Sequence, residues 1–380
     1  MRGKRHPAFL QRLGFSLPKR GNQKAIWIHA VSVGEVKSAI PLFRLLKQKF
    51  PGTWICITTT TATGLAEAKR ALSDADAFLY MPLDLSWVAR RFVRKIQPSY
   101  LFLIESDYWL HALTQVRKQG GKVFVVSGKI SAKSAARFRF FSFFAKRLFS
   151  QVDCLCVQTE EYAERFGSFV EPSKLYVTGN LKFDMPLQAP CSLPQLSGFK
   201  WITLSSTHDP EEERLLDLLI GTPYSFFLAP RHPERFERVA ELLTRKNISF
   251  IRWSQLDCFS GEKVVLVDTM GELATCYSHS LLAIVGGSFI PSVGGHNVWE
   301  PYLYGCPSLF GPFMHSQKEL VSAAFKADGG MQISLEQVLD GVERVVLHRE
   351  EYATRALKAA EKMRCITGKT WEIIASHIKN

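Results

Sequence analysis

The stretch "AIWIHAVSVGEVKSAIPLF" (residues 25–43) decides how this chain is read. Ala25–Ala30 is a short apolar run of strand character. Apolar residues then return at helical spacing over about 36–49. At the joint stand Ser32, Gly34 and Glu35. A strand handed to a helix through a glycine turn is half of a βαβ unit, the connection that parallel strands require. The joint also carries an oddity. Glu35 places a carboxylate where the free N–H groups of a helix start normally attract an anion.

The same rhythm extends outward. Strand-like runs recur at Trp54–Thr59, Ala77–Tyr80, Tyr100–Ile104, Lys122–Val126, Asp153–Val157 and Lys174–Val177. Amphipathic stretches near 64–72, 86–96, 109–118, 134–149 and 159–166 separate most of them. "MPLQAPCSLPQLSGFK" (185–200) breaks the pattern with three prolines and reads as a linker. The rhythm restarts with Trp201–Leu204, Tyr224–Ala229, Ser249–Trp253, Val264–Val267 and Leu281–Val285, and the last ~40 residues read as helical. The fold class expected is α/β: two doubly wound domains, 1–185 and 201–380, joined by 186–200, with the last helices packing back on the first domain. Ligands of such folds bind beyond the carboxyl ends of the strands, here in the cleft between domains.

Length and composition fit two ordinary globular domains: 380 residues, 46% hydrophobic and 22% charged. The net charge of +13 is unevenly spread. Residues 1–190 hold 29 Lys and Arg against 13 Asp and Glu, whereas 191–380 hold 19 against 22. A basic half suits nucleic acid, an anionic membrane or an anionic ligand. The eight cysteines form no C-x-x-C pair and read as free thiols in a reducing compartment, with no zinc spacing. No apolar run reaches transmembrane length, and no signal peptide is visible.

Several windows carry candidate chemistry. In "AIVGGSFIPSVGGHNVWEPYLYG" (283–305), Gly286–Gly287 end a strand, and Gly294–Gly295 precede His296, Asn297 and a helix-like run with Glu300. Paired glycines admit a ligand close to the backbone, the helix start offers N–H groups to a phosphate, and Glu300 can accept from ribose hydroxyls. Two turns and a capped helix are the plain alternative. In "LAPRHPERF" (228–236), Arg231 can clamp a phosphate or simply lie at the surface. "LSSTHDPEEE" (204–213) offers Ser205, Ser206 and Thr207, with Asp209 and Glu212 spaced as a capping box. "VDTMGEL" (267–273) repeats that spacing with Thr269 and Glu272. In "IESDYW" (104–109), Glu105 and Asp107 end another strand. Either they are N-caps, or Glu105 pairs with Glu35 around one site, separating their pKa values for acid–base work. "KSAARFRFFSFFAKRLFSQ" (133–151) mixes Arg137, Arg139, Lys146 and Arg147 with Phe138, Phe141 and other phenylalanines. A basic helix of that kind suits a membrane interface, to which Arg2, Lys4, Arg5 and Arg12 would add; a core helix with a solvated edge is the competing reading.

Taken together, "HAVSVGE" (29–35), "TTTTATG" (58–64), "GKISAKS" (128–134), "VTGNLKFD" (177–184), "SSTHDPEE" (205–212), "APRHPERF" (229–236), "VDTMGEL" (267–273) and "VGGSFIPSVGGHN" (285–297) resemble the Kdo transferases of lipopolysaccharide assembly. That family moves 3-deoxy-D-manno-octulosonic acid (Kdo) from CMP-Kdo to a lipid A precursor. The resemblance implies a GT-B fold and an inverting, metal-independent transfer with no cofactor. It implies Glu35 as general base, with Glu105 as a further site residue. Ser206, Arg231, Met270, Gly271, Glu272, Gly294, Gly295, His296, Asn297 and Glu300 would hold the CMP end. Ser32, Gly34, Lys129 and Lys182 would meet the sugar or acceptor. Glu105-Ser106-Asp107-Tyr108-Trp109-Leu110 departs from the commoner Glu-Thr-Glu-Leu-Trp-Pro toward the chlamydial branch. Members usually begin with an apolar anchoring helix, and this chain starts about where that helix would end. It would then sit peripherally on the cytoplasmic face of the inner membrane through its basic aromatic surface. Two rivals are another GT-B transferase with an ADP or UDP donor, and a non-catalytic basic adaptor. No zinc-finger, helix-turn-helix or RNA-recognition signature supports a nucleic-acid partner.

Overall fold

The structure is a computed structural model and describes residues 9–185, 187 and 189–379; Arg2, Lys4 and Arg5 lie outside these. The chain divides into two compact units, Met1–Pro186 with Arg364–Asn380, and Leu187–Met363. The first begins with α1 (Phe9–Arg12), β1 (Ala25–His29), α2 (Val33–Lys49), β2 (Trp54–Thr59), α3 (Ala62–Ala71), β3 (Ala77–Tyr80) and α4 (Ser86–Ile96). β4 (Pro98–Ile104), α5 (Leu110–Lys118), β5 (Lys122–Gly128), α6 (Ala132–Phe140), α7 (Ser142–Phe149), β6 (Cys154–Val157), α8 (Glu160–Phe166) and β7 (Leu175–Val177) follow.

The second unit holds β8 (Trp201–Thr207), α9 (Glu211–Leu219), β9 (Ser225–Pro230), α10 (Phe236–Arg245), β10 (Phe250–Arg252), β11 (Val264–Leu266), α11 (Leu273–His279) and β12 (Ser280–Val285). It closes with β13 (Ser308–Phe310), α12 (Lys318–Ala327), β14 (Gly330–Gln332), α13 (Val338–Leu347) and α14 (Arg349–Lys362). The last helix, α15 (Ile366–Lys379), belongs to the first unit. There Lys122 Nζ donates to the His377 carbonyl, and Phe50 meets Trp371 edge-on.

Each unit carries one seven-stranded parallel sheet, ordered β3-β2-β1-β4-β5-β6-β7 and β10-β11-β9-β8-β12-β13-β14. Central strands such as β1 and β2 are buried at every position. That is why they read as continuous apolar runs rather than alternating ones. On one face of the first sheet, Trp27, Cys56, Leu101, Leu103, Val123 and Val125 share a core with Phe92 of α4, Leu113 of α5, Ala135 of α6, Phe149 of α7 and Phe166 of α8.

In each sheet the chain first builds on one side of its first strand, then crosses to the other side. The two switch points lie between β1 and β4, and between β8 and β12. Glu35 and Glu105 follow the first pair of strands; in the second pair Ser206 lies near the end of β8, and Gly286–Gly287 follow β12. Crevices at such points are where doubly wound sheets bind ligands.

Several expectations change. β13 and β14 are additional strands of three residues each, too short for periodicity to register. The segment 133–151 is two helices, broken at Phe141 (φ −99°, ψ 50°). The second half of the linker packs on the second unit: Leu196 is buried, and its carbonyl accepts from Trp201 Nε1 at 3.0 Å.

Candidate active site

Glu35 sits in the first turn of α2, three residues after its N-cap, Ser32. Its Oε2 accepts from the Val31 N–H at 2.8 Å. The side chain is largely buried at 8% exposure, and Oε1 has no donor among the described residues. Burial raises its pKa to about 7, reinforced by the charges of Glu105 and Asp107 and opposed by the Val31 N–H and Lys129. Desolvation therefore outweighs the Val31 hydrogen bond. Ser32 makes no side-chain cap bond, and a Cβ on Gly34 would meet only Ser32 Oγ at 4.0 Å. The protein's own packing thus requires neither the hydroxyl nor the glycine.

Glu105 closes β4 in the left-handed region, φ 65°, at 1% exposure. Its carboxylate pairs with Lys129, and with Lys182 Nζ at 3.2 Å. Burial pushes its pKa up, but the two ammonium groups overcome this and hold it below the ordinary carboxylate value. The two glutamates are thus driven apart in acidity, as acid–base sites require. Asp107 caps no helix: its Oδ2 meets His29 Nε2 at 3.0 Å and accepts from Trp109 Nε1 at 2.9 Å. His29 is fully buried, with Nδ1 2.9 Å from Thr58 Oγ1.

Beside this group lies a cavity of about 460 Å³. Asp107, Lys129, Ser131 and Ser134 make its polar lining, and Phe138, Phe144, Leu148 and Tyr162 its apolar lining. Phe138 does not face outward: it packs on Phe149 and Phe169, on the same helical stripe as the buried Ala135 and Ala145. The outward aromatics are Phe140 (82% exposed), Phe141, Phe143 (81%) and Phe144. Around them Arg137, Arg139, Lys146 and Arg147 are exposed and form no ion pair among the described residues.

In the second unit, Ser206 sits at a break in the β8–β9 register with φ 54°. His208 and His296 lie face to face, Nε2 to Nε2 at 2.8 Å, with His232 edge-on to His208. At that distance one ring donates and the other accepts, so the pair cannot be doubly protonated. Burial lowers His208 to about 4 and His296 to about 3, each helped by the other cations present, Arg231 among them. Arg231 itself has no ion pair among the described residues.

The glycines act sterically here. Gly287 N–H donates to Glu211 Oε2 at 2.6 Å and Gly295 N–H to the Gly287 carbonyl at 2.8 Å, so neither is left for a phosphate. A Cβ on Gly295 would fall 2.1 Å from Met314 Sδ. Asn297 Oδ1 accepts from Trp299 N and Glu300 N at 2.9 and 3.2 Å, fixing Glu300. Glu300 precedes a four-residue 3₁₀ turn, Pro301–Tyr304, rather than standing one turn into a helix. Thr269 caps nothing either: α11 starts at Leu273 with Glu272 as N-cap, and Thr269 Oγ1 is buried without a partner among the described residues. Met270, Gly271 and Glu272 stand at the carboxyl end of β11, two strands from β8, with Met270 exposed. Among the described residues no group of three His, Cys, Asp or Glu could hold a metal, and no helix is long and apolar enough to cross a membrane.

The family model described as 3-deoxy-D-manno-octulosonic-acid transferase (kdotransferase) matches residues 8–185. The 3-deoxy-D-manno-octulosonic acid transferase of Chlamydia trachomatis serovar A is 32% identical, over 94% of this chain and 87% of its own. That of Haemophilus influenzae is 32% identical, over 90% and 83%. This chain belongs to the Kdo transferase family. It is therefore a glycosyltransferase. Solved structures agree on the fold. A UDP-GlcNAc 2-epimerase from Neisseria meningitidis matches with a TM-score of 0.64 at 14% identity, over 94% of this chain and all of that one. Acinetobacter baumannii MurG matches at 0.56 and 12%, over 94% and 100%. The fold is GT-B.

The Kdo transferase fold uses one residue here that the capping-box spacing misassigned. Glu211, not Glu212, reaches back to the His208 N–H at 3.1 Å, and its other oxygen accepts from Phe289 N at 3.0 Å. One buried carboxylate thereby ties the start of α9 to the glycine loop after β12. Burial raises its pKa despite those three bonds. Glu212 pairs instead with Arg235 Nη1 at 3.1 Å. Glu211→Gln would set an amide NH₂ against N–H donors. A loss of ~1–3 kcal/mol is expected, measured by urea unfolding.

Proposed function

We propose that this Kdo transferase moves Kdo from CMP-Kdo to a hydroxyl of a lipid A precursor, inverting the anomeric centre without a metal or other cofactor. The observation that carries the reading is Glu35: a buried carboxylate at the β1/β4 switch point, with one oxygen unspent and a pKa near 7. A base so poised takes a hydroxyl proton efficiently near neutral pH. The acceptor oxygen bonds to the anomeric carbon, its proton goes to Glu35, and CMP leaves with the electron pair of the broken bond. Arg231 and the neutral His208–His296 pair meet the phosphate of CMP, with Ser206, Asn297 and Glu300 around the nucleoside and Met270–Glu272 beside them. Lys182 keeps donors beyond Glu105 for an anionic group of sugar or acceptor, and Lys129 lines the cavity where that group would lie.

The acceptor is a phosphorylated lipid. The polar and apolar linings of the cavity beside Lys129 fit an amphiphile, and the exposed Phe140–Phe144 patch with its four unpaired cations fits an anionic membrane surface. The chain accordingly works at the cytoplasmic face of the inner membrane. Titration calorimetry with CMP, UDP and ADP, and mass spectrometry of lipid A precursor incubated with CMP-Kdo in EDTA or magnesium, test the reading. CMP should bind tightest, and the lipid should gain Kdo equally in both buffers. Tighter UDP or ADP binding would replace the donor, and unmodified lipid would remove the acceptor.

A further inference from the structure

Helix α4 contains no carboxylate. Val88, Ala89, Phe92, Val93 and Ile96 bury its inner face. Its outer face carries Trp87, Arg90, Arg91, Arg94 and Lys95, spaced i, i+3, i+4, i+7 and i+8 as one stripe. Arg90 with Arg94, and Arg91 with Lys95, are like-charge pairs four apart, an arrangement that costs helix stability. None of these four cations makes an ion pair among the described residues. Arg94 and Lys95 suit the negative end of the helix dipole; Arg90 and Arg91, mid-helix, gain nothing from it.

A second wall faces the stripe. The end of α1 and the segment after it form a strap tied to the chain ahead of α4 and to its C-cap, Gln97. Arg12 Nε donates to the Met81 carbonyl at 3.0 Å, and Arg20 Nη2 to Gln97 Oε1 at 2.6 Å. Gly14 turns the strap with φ +79°, and the Arg91 guanidinium lies 3.9 Å from the Phe15 ring centroid. Between strap and stripe is a cavity of about 750 Å³, lined by Gly14, Ser16, Leu17, Trp87, Arg90 and Arg94 among others. The strap brings no negative charge, because the sequence has no Asp or Glu before Glu35. Asp84, just ahead of α4, already accepts from the N–H groups of His111 and Ala112. Trp87, 53% exposed, and Leu17 give the groove its apolar lining.

We infer that this groove seats the phosphate of an anionic phospholipid headgroup, at a site separate from the glutamate site. A cationic cradle lined by an exposed tryptophan and Leu17 matches a phosphate with acyl chains beside it. Helix α4 lies on the same face of the first sheet as α6 and α7. The inference goes beyond the transfer reaction and does not depend on it.

The test uses Arg90→Gln/Arg94→Gln, which leaves the Arg91–Phe15 contact intact and relieves a like-charge pair. Lys358→Gln/Lys362→Gln removes the same charge from exposed positions of the second unit. Partition onto phosphatidylcholine vesicles with phosphatidylglycerol should fall roughly 10- to 30-fold in the first variant, from two lost surface contacts, and little in the second. Calorimetry with dihexanoyl-phosphatidylglycerol below its micelle concentration should show one site on the native chain, absent from Arg90→Gln/Arg94→Gln. Inorganic phosphate should bind the same site more weakly. Equal losses in the two variants, no heat from the short-chain lipid, inorganic phosphate binding as tightly as that lipid, or equal displacement of it by an RNA oligomer would each overturn the inference. Charge reversal at Arg137, Arg139, Lys146 and Arg147 should reduce vesicle partition and leave the short-chain lipid heat unchanged. If it leaves partition unchanged, the α6–α7 membrane reading fails while the groove stands.

Discussion

Glu35→Gln is expected to abolish transfer and to stabilise the fold. As a general base Glu35 contributes roughly 10²–10⁴-fold, so kcat/KM should fall by that factor while CMP affinity is kept. The native kcat/KM should rise with pH up to about 7 and level off above it, because the base must be deprotonated. That limb should vanish from the residual rate of the variant. The stability effect has the opposite sign. A carboxyl whose folded pKa is raised from 4.5 to about 7 binds its proton more tightly in the folded chain. Native stability therefore declines as pH climbs from about 4.5 through about 7, by up to ~3 kcal/mol for a shift of that size. Glutamine carries no such charge, and its carbonyl can still accept the Val31 N–H. Urea unfolding at pH 8 should show the variant more stable by ~1–3 kcal/mol, with the two chains converging near pH 4. A near-native rate would remove Glu35 from the base role. A less stable variant at pH 8 would show that its charge is not the costly element.

The long buried strands are legible because strands covered on both faces read as apolar runs, and β1 to β12 all fall on such runs, with ends agreeing to within three residues. The site windows were legible because strand ends, glycine pairs and a misplaced carboxylate are local signals. What escaped depends on partners distant in sequence. A helix start favours the charged form of Glu35, yet burial, with Glu105 supplied by β4 beside it, raises its pKa. Glu211 and Glu212 are adjacent carboxylates at one helix start, and only Gly287 and Phe289 on one side and Arg235 on the other tell them apart. Phe138 turns inward because it shares one helical stripe with the buried Ala135, Ala145 and Phe149, three, seven and eleven residues away. Ser127 and Ser206, both left-handed at register breaks in β5 and β8, carry no sequence mark at all. Such bulges re-aim side chains at sheet rims, and here they fall at the ends that line the two crevices.

Glu105→Gln tests whether the glutamate between two lysines sets the acidity of its neighbour. The wild-type carboxylate holds Lys129 and Lys182 together at 1% exposure. Breaking a fully buried pair costs ~3–5 kcal/mol, but these lysines are part-exposed and can turn to water, so ~1–3 kcal/mol is expected at neutral pH. The sign with pH is fixed by the lowered pKa of Glu105. Its stabilisation is present above the ordinary carboxylate range and lost as pH falls through its folded value, so native chain and variant should converge in acid. The catalytic signature runs separately. Glu105 raises the pKa of Glu35 and Lys129 lowers it. Removing the first charge also frees the second cation from its partner, and both changes favour ionised Glu35. The rising limb of kcat/KM should therefore move below pH 7 in Glu105→Gln. A purely structural glutamate would cost stability and leave that limb in place. A shifted limb with intact CMP binding would mark Glu105 as the residue that keeps the Glu35 proton poised near neutrality.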